Sequence, residues 1–252
     1  MTNAFSRGAS LATLLLALAS AGCQTAQAPP PATATRPSTA ATERPLPDSI
    51  RWVEQSAEYV AALEQTYRLA TSAVESAARG RAAGSWAVVL DADETVLNNA
   101  RYQEERARVG LAFSAESWNA WVKRREATPL PGAEAFLSRV RRLGGKIAIV
   151  TNRLQSECDD TRAVFERFQL AYDAMLCRPD GGPSDKNPRF ADVADGRTPA
   201  GAAPLTIVAF VGDNILDFPG KSQAIRSQGA PAFTEFGVRY FLLPNPMYGS
   251  WQ

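Results

Sequence analysis

The chain has 252 residues, of which 45% are hydrophobic, and a formal net charge of +1. This length suits one domain with additional segments, and the balanced charge argues against a nucleic-acid polymer as the main partner, because such proteins need a basic surface. The sequence contains no histidine, which excludes Ser-His-Asp hydrolysis, Cys-His catalysis and zinc sites that need imidazole. Any chemistry must therefore use carboxylates, lysine or arginine, hydroxyl groups and the backbone.

The N-terminal segment has the features of an export signal. Residues 1–22 contain a basic Arg7, then an apolar run that is too short to span a membrane, and then small residues directly before Cys23. This arrangement resembles a bacterial lipoprotein signal in which Cys23 is lipidated. Ser20 replaces the usual leucine, so ordinary cleavage of a soluble exported protein stays open.

A tether is predicted next. Residues 23–45 are rich in Pro, Ala and Thr and carry few large apolar side chains, which indicates a disordered linker. Residues 46–252 are then predicted to form the folded domain. Its first element is one helix, or two, that ends near Gly80, because apolar residues recur with the helical period. The members of this stripe are Val53, Val60, Leu63, Tyr67, Ala70 and Val74.

Strands and helices alternate through the rest of the chain. In order, we predict a strand at 87–90, a loop and short helix over 98–121, a helix at 133–143, a strand at 146–150, a helix at 156–168, a strand at 174–177, a loop that carries Lys186 and Arg189, a strand at 205–211 and a short strand at 241–243. This alternation predicts an α/β fold with a Rossmann-like parallel sheet and helices on both faces. The N-terminal helical segment and a small insertion would be added to it.

Polar clusters follow three of the predicted strands. They are Asp91, Asp93 and Thr95 after the first strand, Thr151, Asn152 and Arg153 after the second, and Asp213 and Asp217 after the fourth. In a parallel sheet the carboxyl ends of the strands share one edge, where ligands bind, and Lys186 should reach the same edge. Carboxylate oxygens bind Mg²⁺ and Mg²⁺ binds phosphate oxygens, so the set suits phosphoryl transfer through an aspartate nucleophile.

Each feature alone leaves a structural alternative open. Asp and Asn are common turn residues, and a loop lysine such as Lys186 is usually solvated. Trp118 and Trp121 have the spacing of one packed helix face. Order and placement favour a functional site, because several clusters each stand at the predicted end of a strand.

The three clusters together with Lys186 resemble the four motifs of the haloacid dehalogenase (HAD) superfamily: Asp91-x-Asp93-x-Thr95, Thr151, Lys186, and Gly212-Asp213-x-x-x-Asp217. Further stretches over residues 50–251 resemble class C acid phosphatases, a group of bacterial outer-membrane lipoprotein phosphatases. These stretches are Trp52 with Ser56-Ala-Glu58-Tyr59, Asp93-Glu94-Thr95, Trp118-x-x-Trp121-Val122, Pro131-Gly132-Ala133, Val150-Thr-Asn-Arg153, Val211-Gly-Asp-Asn214 and Leu243-Pro-Asn-Pro-Met-Tyr248-Gly249.

The resemblance implies a Mg²⁺-dependent acid phosphatase that hydrolyses small phosphomonoesters, including nucleoside monophosphates, at the bacterial cell envelope, as an outer-membrane lipoprotein or in the periplasm. By matching motif the resemblance also implies a role for each residue. Asp91 would be the nucleophile and a metal ligand, Asp93 the general acid and base and a metal ligand through its carbonyl, Asp213 the third metal ligand, and Asp217 a support for the metal's waters. Thr151, Asn152 and Lys186 would bind the phosphate, Arg153 would lie beside the substrate, and Trp118 and Tyr248 would stack on a base. A phosphotransferase with the same aspartyl-phosphate, and a catalytically silent envelope binding protein, are the alternatives. The oligomeric state stays open.

Two cysteines pose a separate question. Cys158 is predicted near the start of a helix and Cys177 at the end of the next strand, and a right-handed crossover places both near one edge of the sheet. Export would permit a disulfide between them. Two partly buried thiols are equally compatible with the pattern.

Overall fold

The computed structural model describes residues 44–198 and 203–252. The predicted signal, Cys23 and almost all of the predicted tether lie outside these residues. The described residues belong to a single unit. In the described part of the chain, no helix has both the length and the apolar character needed to cross a membrane.

Seven strands are present in the described residues. They are β1 (Trp86–Leu90), β2 (Leu97–Asn98), β3 (Thr128–Pro129), β4 (Lys146–Leu154), β5 (Ala174–Arg178), β6 (Thr206–Gly212) and β7 (Tyr240–Leu242). Five of them form one parallel sheet in the order β5-β4-β1-β6-β7, while β2 and β3 form a small antiparallel pair. The first strand is therefore the centre of the sheet, and the chain adds strands first on one side of it and then on the other.

The described α-helices surround this sheet. They are α1 (Asp48–Gln55), α2 (Ala57–Ala78), α3 (Ala100–Arg108), α4 (Ala115–Arg124), α5 (Ala133–Arg142), α6 (Cys158–Arg167) and α7 (Asn187–Ala194). All five residues of β1 are buried, because alternate side chains enter two different hydrophobic clusters. One cluster holds Val88 and Leu90 together with residues of α2, α5 and α6. The other holds Ala87 and Val89 with residues of α7. The predicted fold class, a parallel sheet with helices on both faces, is confirmed.

Of the two alternatives for the N-terminal helical stretch, one helix or two, the structure contains two helices, divided at Ser56, whose hydroxyl accepts a hydrogen bond from Tyr59 N at 3.1 Å. Three local predictions were wrong: the burial of Val60 and two of the loops. Because the helix restarts after Ser56, Tyr59 is buried and Val60, which the single stripe placed inside, is 44% exposed. The predicted loop after residue 98 contains α3, and the predicted loop around Arg189 contains α7, which has a proline in its first turn.

The two cysteines form a disulfide. Cys158 at the start of α6 is bonded to Cys177 on β5, so the helix is tied to the strand beside it. Both residues are almost completely buried. The disulfide alternative is therefore the one that the structure contains.

Candidate active site

A tight loop follows β1 and aims its two aspartates at the same side. Ala92, between them, is fully buried, and its carbonyl accepts hydrogen bonds from the backbone N–H groups of Val96 and Leu97. Glu94 has a φ of 48°, in the left-handed region that residues other than glycine rarely adopt. Its side chain accepts a hydrogen bond from Asn99 N at 2.8 Å, which helps to hold this conformation. The loop is thereby fixed over its whole length.

Asp93 is held by two neighbours. Arg153 of β4 donates to its Oδ1 from Nη2 at 2.8 Å and from Nε at 3.0 Å, and Asn99 donates to the same atom at 2.9 Å. The Arg153 side chain is only 1% exposed. Asn99 is in turn fixed by Trp121, whose indole N–H donates to its Oδ1 at 2.9 Å. The orientation of Asp93 is thus set by residues of three separate segments.

Asp91, Lys186 and Asp217 form a buried charged cluster. The Lys186 ammonium donates a hydrogen bond to Asp217 Oδ1 at 2.6 Å and forms an ion pair with Asp91 Oδ1 at 2.7 Å. Asp213 lies beside them, where it accepts hydrogen bonds from Thr95 Oγ1 at 3.2 Å and from Asn245 Nδ2 at 2.9 Å. The end of β6 therefore meets the end of β1, as parallel pairing of these strands requires.

Three carboxylates are close enough to hold one cation. Oxygen atoms of Asp91, Asp213 and Asp217 lie within 4.8 Å of one another. Burial raises the pKa of Asp91 to about 7, with Lys186 opposing this effect and Asp217 and Asp93 adding to it. Burial and the charges of Asp217 and Asp91 raise the pKa of Asp213 well above its ordinary value. One lysine does not balance this much negative charge, so the cluster fits a hard divalent cation, which prefers carboxylate oxygens.

Gly212 leaves the space that Asp217 occupies. A Cβ atom built on Gly212 would lie 2.3 Å from Asp217 Cβ and 2.4 Å from its Oδ2, much closer than any van der Waals contact. The same Oδ2 accepts a hydrogen bond from Asn214 N at 2.9 Å. The absence of a side chain at the end of β6 is therefore what allows the Asp217 carboxylate to turn back toward Lys186.

The end of β4 is supported by a second arginine. Arg189 of α7 donates hydrogen bonds to the Thr151 carbonyl and, at 2.6 Å, to Asn152 Oδ1. The Thr151 hydroxyl accepts a hydrogen bond from Arg153 N at 3.1 Å, and Thr151 is fully buried. Asn152 is exposed. Alternate residues of the strand therefore point into the protein and out of it.

A cavity of about 730 Å³ opens at this edge of the sheet. Its lining includes nine of the residues that the sequence suggested: Asp91, Asp93, Trp118, Asn152, Arg153, Lys186, Asp213, Asp217 and Tyr248. Thr151 is not among the residues that line it, so its contact with a phosphate stays a prediction. Cys23 lies outside the described residues. Of the two tryptophans, Trp118 lines the cavity, whereas Trp121 is buried and belongs to the core.

Sequence reasoning missed several residues that build this site. Asn99 and Asn245 hold Asp93 and Asp213 through their side chains, and Arg189 supports the end of β4. Phe113, 63% exposed, lines the cavity beside Trp118, with the two rings 6.4 Å apart. Asn245 stands inside the Pro-Asn-Pro stretch that was noted as a motif, which was the available signal for it. Arg189 was noted beside Lys186 in a predicted loop but was given no role in the site. Asn99 and Phe113 stand in segments where no local pattern indicated a site.

Comparison with known proteins gives one consistent result. The model of the HAD superfamily, subfamily IIIB acid phosphatases matches residues 7–251. Two solved structures of the class C acid phosphatase from Bacillus anthracis, one of them with tungstate bound, are 30% identical to this chain. Each match has a TM-score of 0.70 and covers 81% of this chain and 84% of the other.

Proposed function

This chain belongs to the subfamily IIIB acid phosphatases of the HAD superfamily and is a phosphomonoesterase, and we propose that it hydrolyses phosphomonoesters with Mg²⁺ through an aspartyl-phosphate on Asp91. The observation that carries this proposal is the meeting of Asp91, Lys186, Asp213 and Asp217 at one edge of the sheet. The three carboxylates that follow β1 and β6 provide a nucleophile and a set of metal ligands, and Lys186, directly before α7, provides a cation for phosphate oxygens.

Mg²⁺ would be held by Asp91, Asp213 and Asp217, with the Asp93 carbonyl completing the protein ligands. The support is the close approach of three carboxylates whose negative charge one lysine leaves uncompensated. When bound, the ion would supply positive charge for the phosphate oxygens. Lys186 and Asn152 would bind other oxygens of the same phosphate, since both line the cavity.

In the first step an oxygen of the Asp91 carboxylate attacks phosphorus, and the bond between phosphorus and the substrate oxygen breaks. Asp93 donates a proton to that oxygen, so an alcohol leaves. Water then attacks the phosphorus of the aspartyl-phosphate while Asp93 accepts its proton, which releases inorganic phosphate and restores both carboxyl groups. The contacts of Asp93 with Arg153 and Asn99 support this role, because they orient the group that moves the proton.

Nucleoside monophosphates are the substrates that we propose. Trp118, Phe113 and Tyr248 line the cavity and offer aromatic surfaces on which a base can stack. The Arg153 guanidinium lies over the Trp118 ring, 5.5 Å from its centre, and this contact steadies the ring at the cavity wall. The tungstate in the Bacillus anthracis structure is a tetrahedral oxyanion like phosphate, which supports binding of a phosphate group by this type of domain.

The decisive experiment measures phosphate release from p-nitrophenyl phosphate and from adenosine 5′-monophosphate, with Mg²⁺ and with EDTA. We expect release only with the metal, and a loss of about 10³-fold or more in Asp91→Asn, because an amide is a poor nucleophile. Asp48→Asn, at a side chain that is 92% exposed on α1, is the matched control and should keep the wild-type rate. Near-normal turnover by Asp91→Asn would refute the assignment of the nucleophile.

The same assay separates hydrolysis from transfer. Adding glycerol as a second acceptor and measuring glycerol phosphate tests whether the aspartyl-phosphate passes its phosphoryl group to an alcohol. We propose hydrolysis as the main activity, so glycerol phosphate should remain a minor product. Glycerol phosphate in excess of inorganic phosphate would favour the phosphotransferase alternative.

We also propose attachment to the bacterial envelope through a lipid on Cys23. The support is the sequence alone: the short apolar run, the small residues before Cys23 and the tether behind it. Cys23→Ser should move the protein from the detergent phase to the aqueous phase in a partition experiment and leave its turnover unchanged. Equal partition of the two forms would contradict the lipid anchor.

A further inference from the structure

Arg178, the last residue of β5, lines the same cavity as Asp91 and Lys186. Its Nε atom is buried and has no hydrogen-bond partner. Among residues 44–198 and 203–252, no carboxylate forms an ion pair with its guanidinium. A partly buried guanidinium that faces a cavity without an anion is electrostatically unsatisfied, and the cavity is the direction from which an anion can reach it.

The other two cations that line the cavity are already engaged. Arg153 is paired with Asp93, and Lys186 is paired with Asp91 and Asp217. In the part of the chain that the structure describes, Arg178 is thus the cavity-lining cation that has no anionic partner in the protein. The catalytic phosphate does not need it, since Lys186 already stands beside Asp91.

The position of Arg178 separates it from the reacting phosphorus. Strand β5 lies two strands from β1, so the ends of these strands are about 10 Å apart. Side-chain alternation along β5 places Arg178 on the face that carries Ala174 and Leu176, which is the face covered by α7. Burial lowers the pKa of Arg189 of α7, and the nearby charge of Arg178 adds to this effect. The two guanidinium groups therefore lie near each other, and of the two it is Arg178 that lines the cavity.

We propose that Arg178 binds a second anionic group where a substrate carries one, so that between two otherwise similar phosphomonoesters the enzyme prefers the one with a further phosphate or carboxylate about 5–10 Å from the phosphorus attacked by Asp91. Guanidinium groups bind both kinds of anion through paired N–H donors, so phosphate and carboxylate share this chemistry. The inference rests on the proposed function, because it assumes that the phosphate to be hydrolysed lies at Asp91.

The test compares kcat/KM within two pairs of substrates. Fructose 6-phosphate and fructose 1,6-bisphosphate differ by a phosphate, and glycerol 3-phosphate and 3-phosphoglycerate differ by a carboxylate. We expect the wild-type enzyme to favour the second member of at least one pair through a lower KM. In Arg178→Gln this preference should fall by about tenfold or more, the effect of losing a charge-assisted hydrogen bond. Arg178→Lys keeps the charge but lacks the paired donors, so it should retain part of the preference.

Arg142→Gln is the matched control. It removes the same charge from an exposed residue at the end of α5, directly before β4 begins and therefore at the opposite edge of the sheet. Its preference between the paired substrates should equal that of the wild type. The pair that responds to Arg178→Gln identifies the anion as phosphate or carboxylate.

Two results would overturn the inference. The first is that the wild-type enzyme has equal KM values within both pairs, a result that needs no variant. The second is that the wild-type enzyme shows a preference and Arg178→Gln leaves it intact. If the wild-type enzyme releases phosphate from p-nitrophenyl phosphate and either result is found, the role of Arg178 is refuted while the proposed function stands. No release from any substrate with Mg²⁺ would refute the proposed function, and this inference with it.

Discussion

Replacing Gly212 by alanine should damage the catalytic centre without removing any charged group. The new Cβ would stand 2.3 Å from Asp217 Cβ, so the Asp217 side chain or its backbone must move by about 1 Å to restore an ordinary contact. Such a shift disturbs the 2.6 Å hydrogen bond from Lys186 and moves one of the three clustered carboxylates. Overpacking of this kind costs about 1–3 kcal/mol of stability. Misplacement by 1 Å at a reacting centre costs about 100-fold in rate.

The assay is kcat/KM for p-nitrophenyl phosphate across a Mg²⁺ titration, with urea unfolding measured in parallel. Gly80→Ala is the control, because Gly80 lies in open space but has a φ of 76°, so alanine there costs about 1 kcal/mol and touches nothing in the site. We expect comparable destabilisation in the two variants, with a loss of kcat/KM and of Mg²⁺ affinity confined to Gly212→Ala. Wild-type kcat/KM and Mg²⁺ affinity in Gly212→Ala would refute the reasoning.

Two further predictions concern metal, pH and the disulfide. The pKa of Asp91 is raised to about 7, and that of Asp213 is raised as well, so the metal-free folded protein binds protons more tightly than the unfolded chain. The folded state therefore loses stability as the pH rises from about 4 to above 7. Added Mg²⁺ should therefore raise the melting temperature most near pH 7.5 and least near pH 4.5, and an increment that does not depend on pH would contradict this. Replacing Cys158 and Cys177 together by alanine should lower the free energy of unfolding by about 3 kcal/mol, the value for a loop of this length, and urea curves that coincide with the wild type would count against it.

The sheet and the carboxylates could be predicted because their signals are local. A run of buried apolar residues followed by two aspartates marks β1 and its loop, and Gly212-Asp213 marks the end of β6 in the same way. Parallel pairing then brings these ends together. The strand order, by contrast, depends on which strands pair, and no single stretch of sequence contains that information.

The elements that were missed lack such a signal. Helix α3 buries only Ala100 and Tyr102, so it has no apolar stripe to reveal it. Helix α7 begins in a segment rich in Pro, Gly and Asp, which is typical of a loop. Arg153 was expected beside the substrate, and it does line the cavity, but its ion pair with Asp93 joins residues 60 positions apart and depends on the packing of two strands.

The central position of β1 also has a consequence for folding. Its partners β4 and β6 come from different parts of the chain, and the hydrogen bond between Thr95 and Asp213 joins residues that are 118 positions apart. Contacts of such long range form late, because closing a long loop costs entropy before the contact stabilises the chain. A partly folded chain in which only β1, β4 and β5 are paired would have the Asp91 carboxyl in place but not the Asp213 and Asp217 carboxylates. The return of phosphatase activity during refolding therefore reports the docking of β6 against β1, and not the formation of the first three strands.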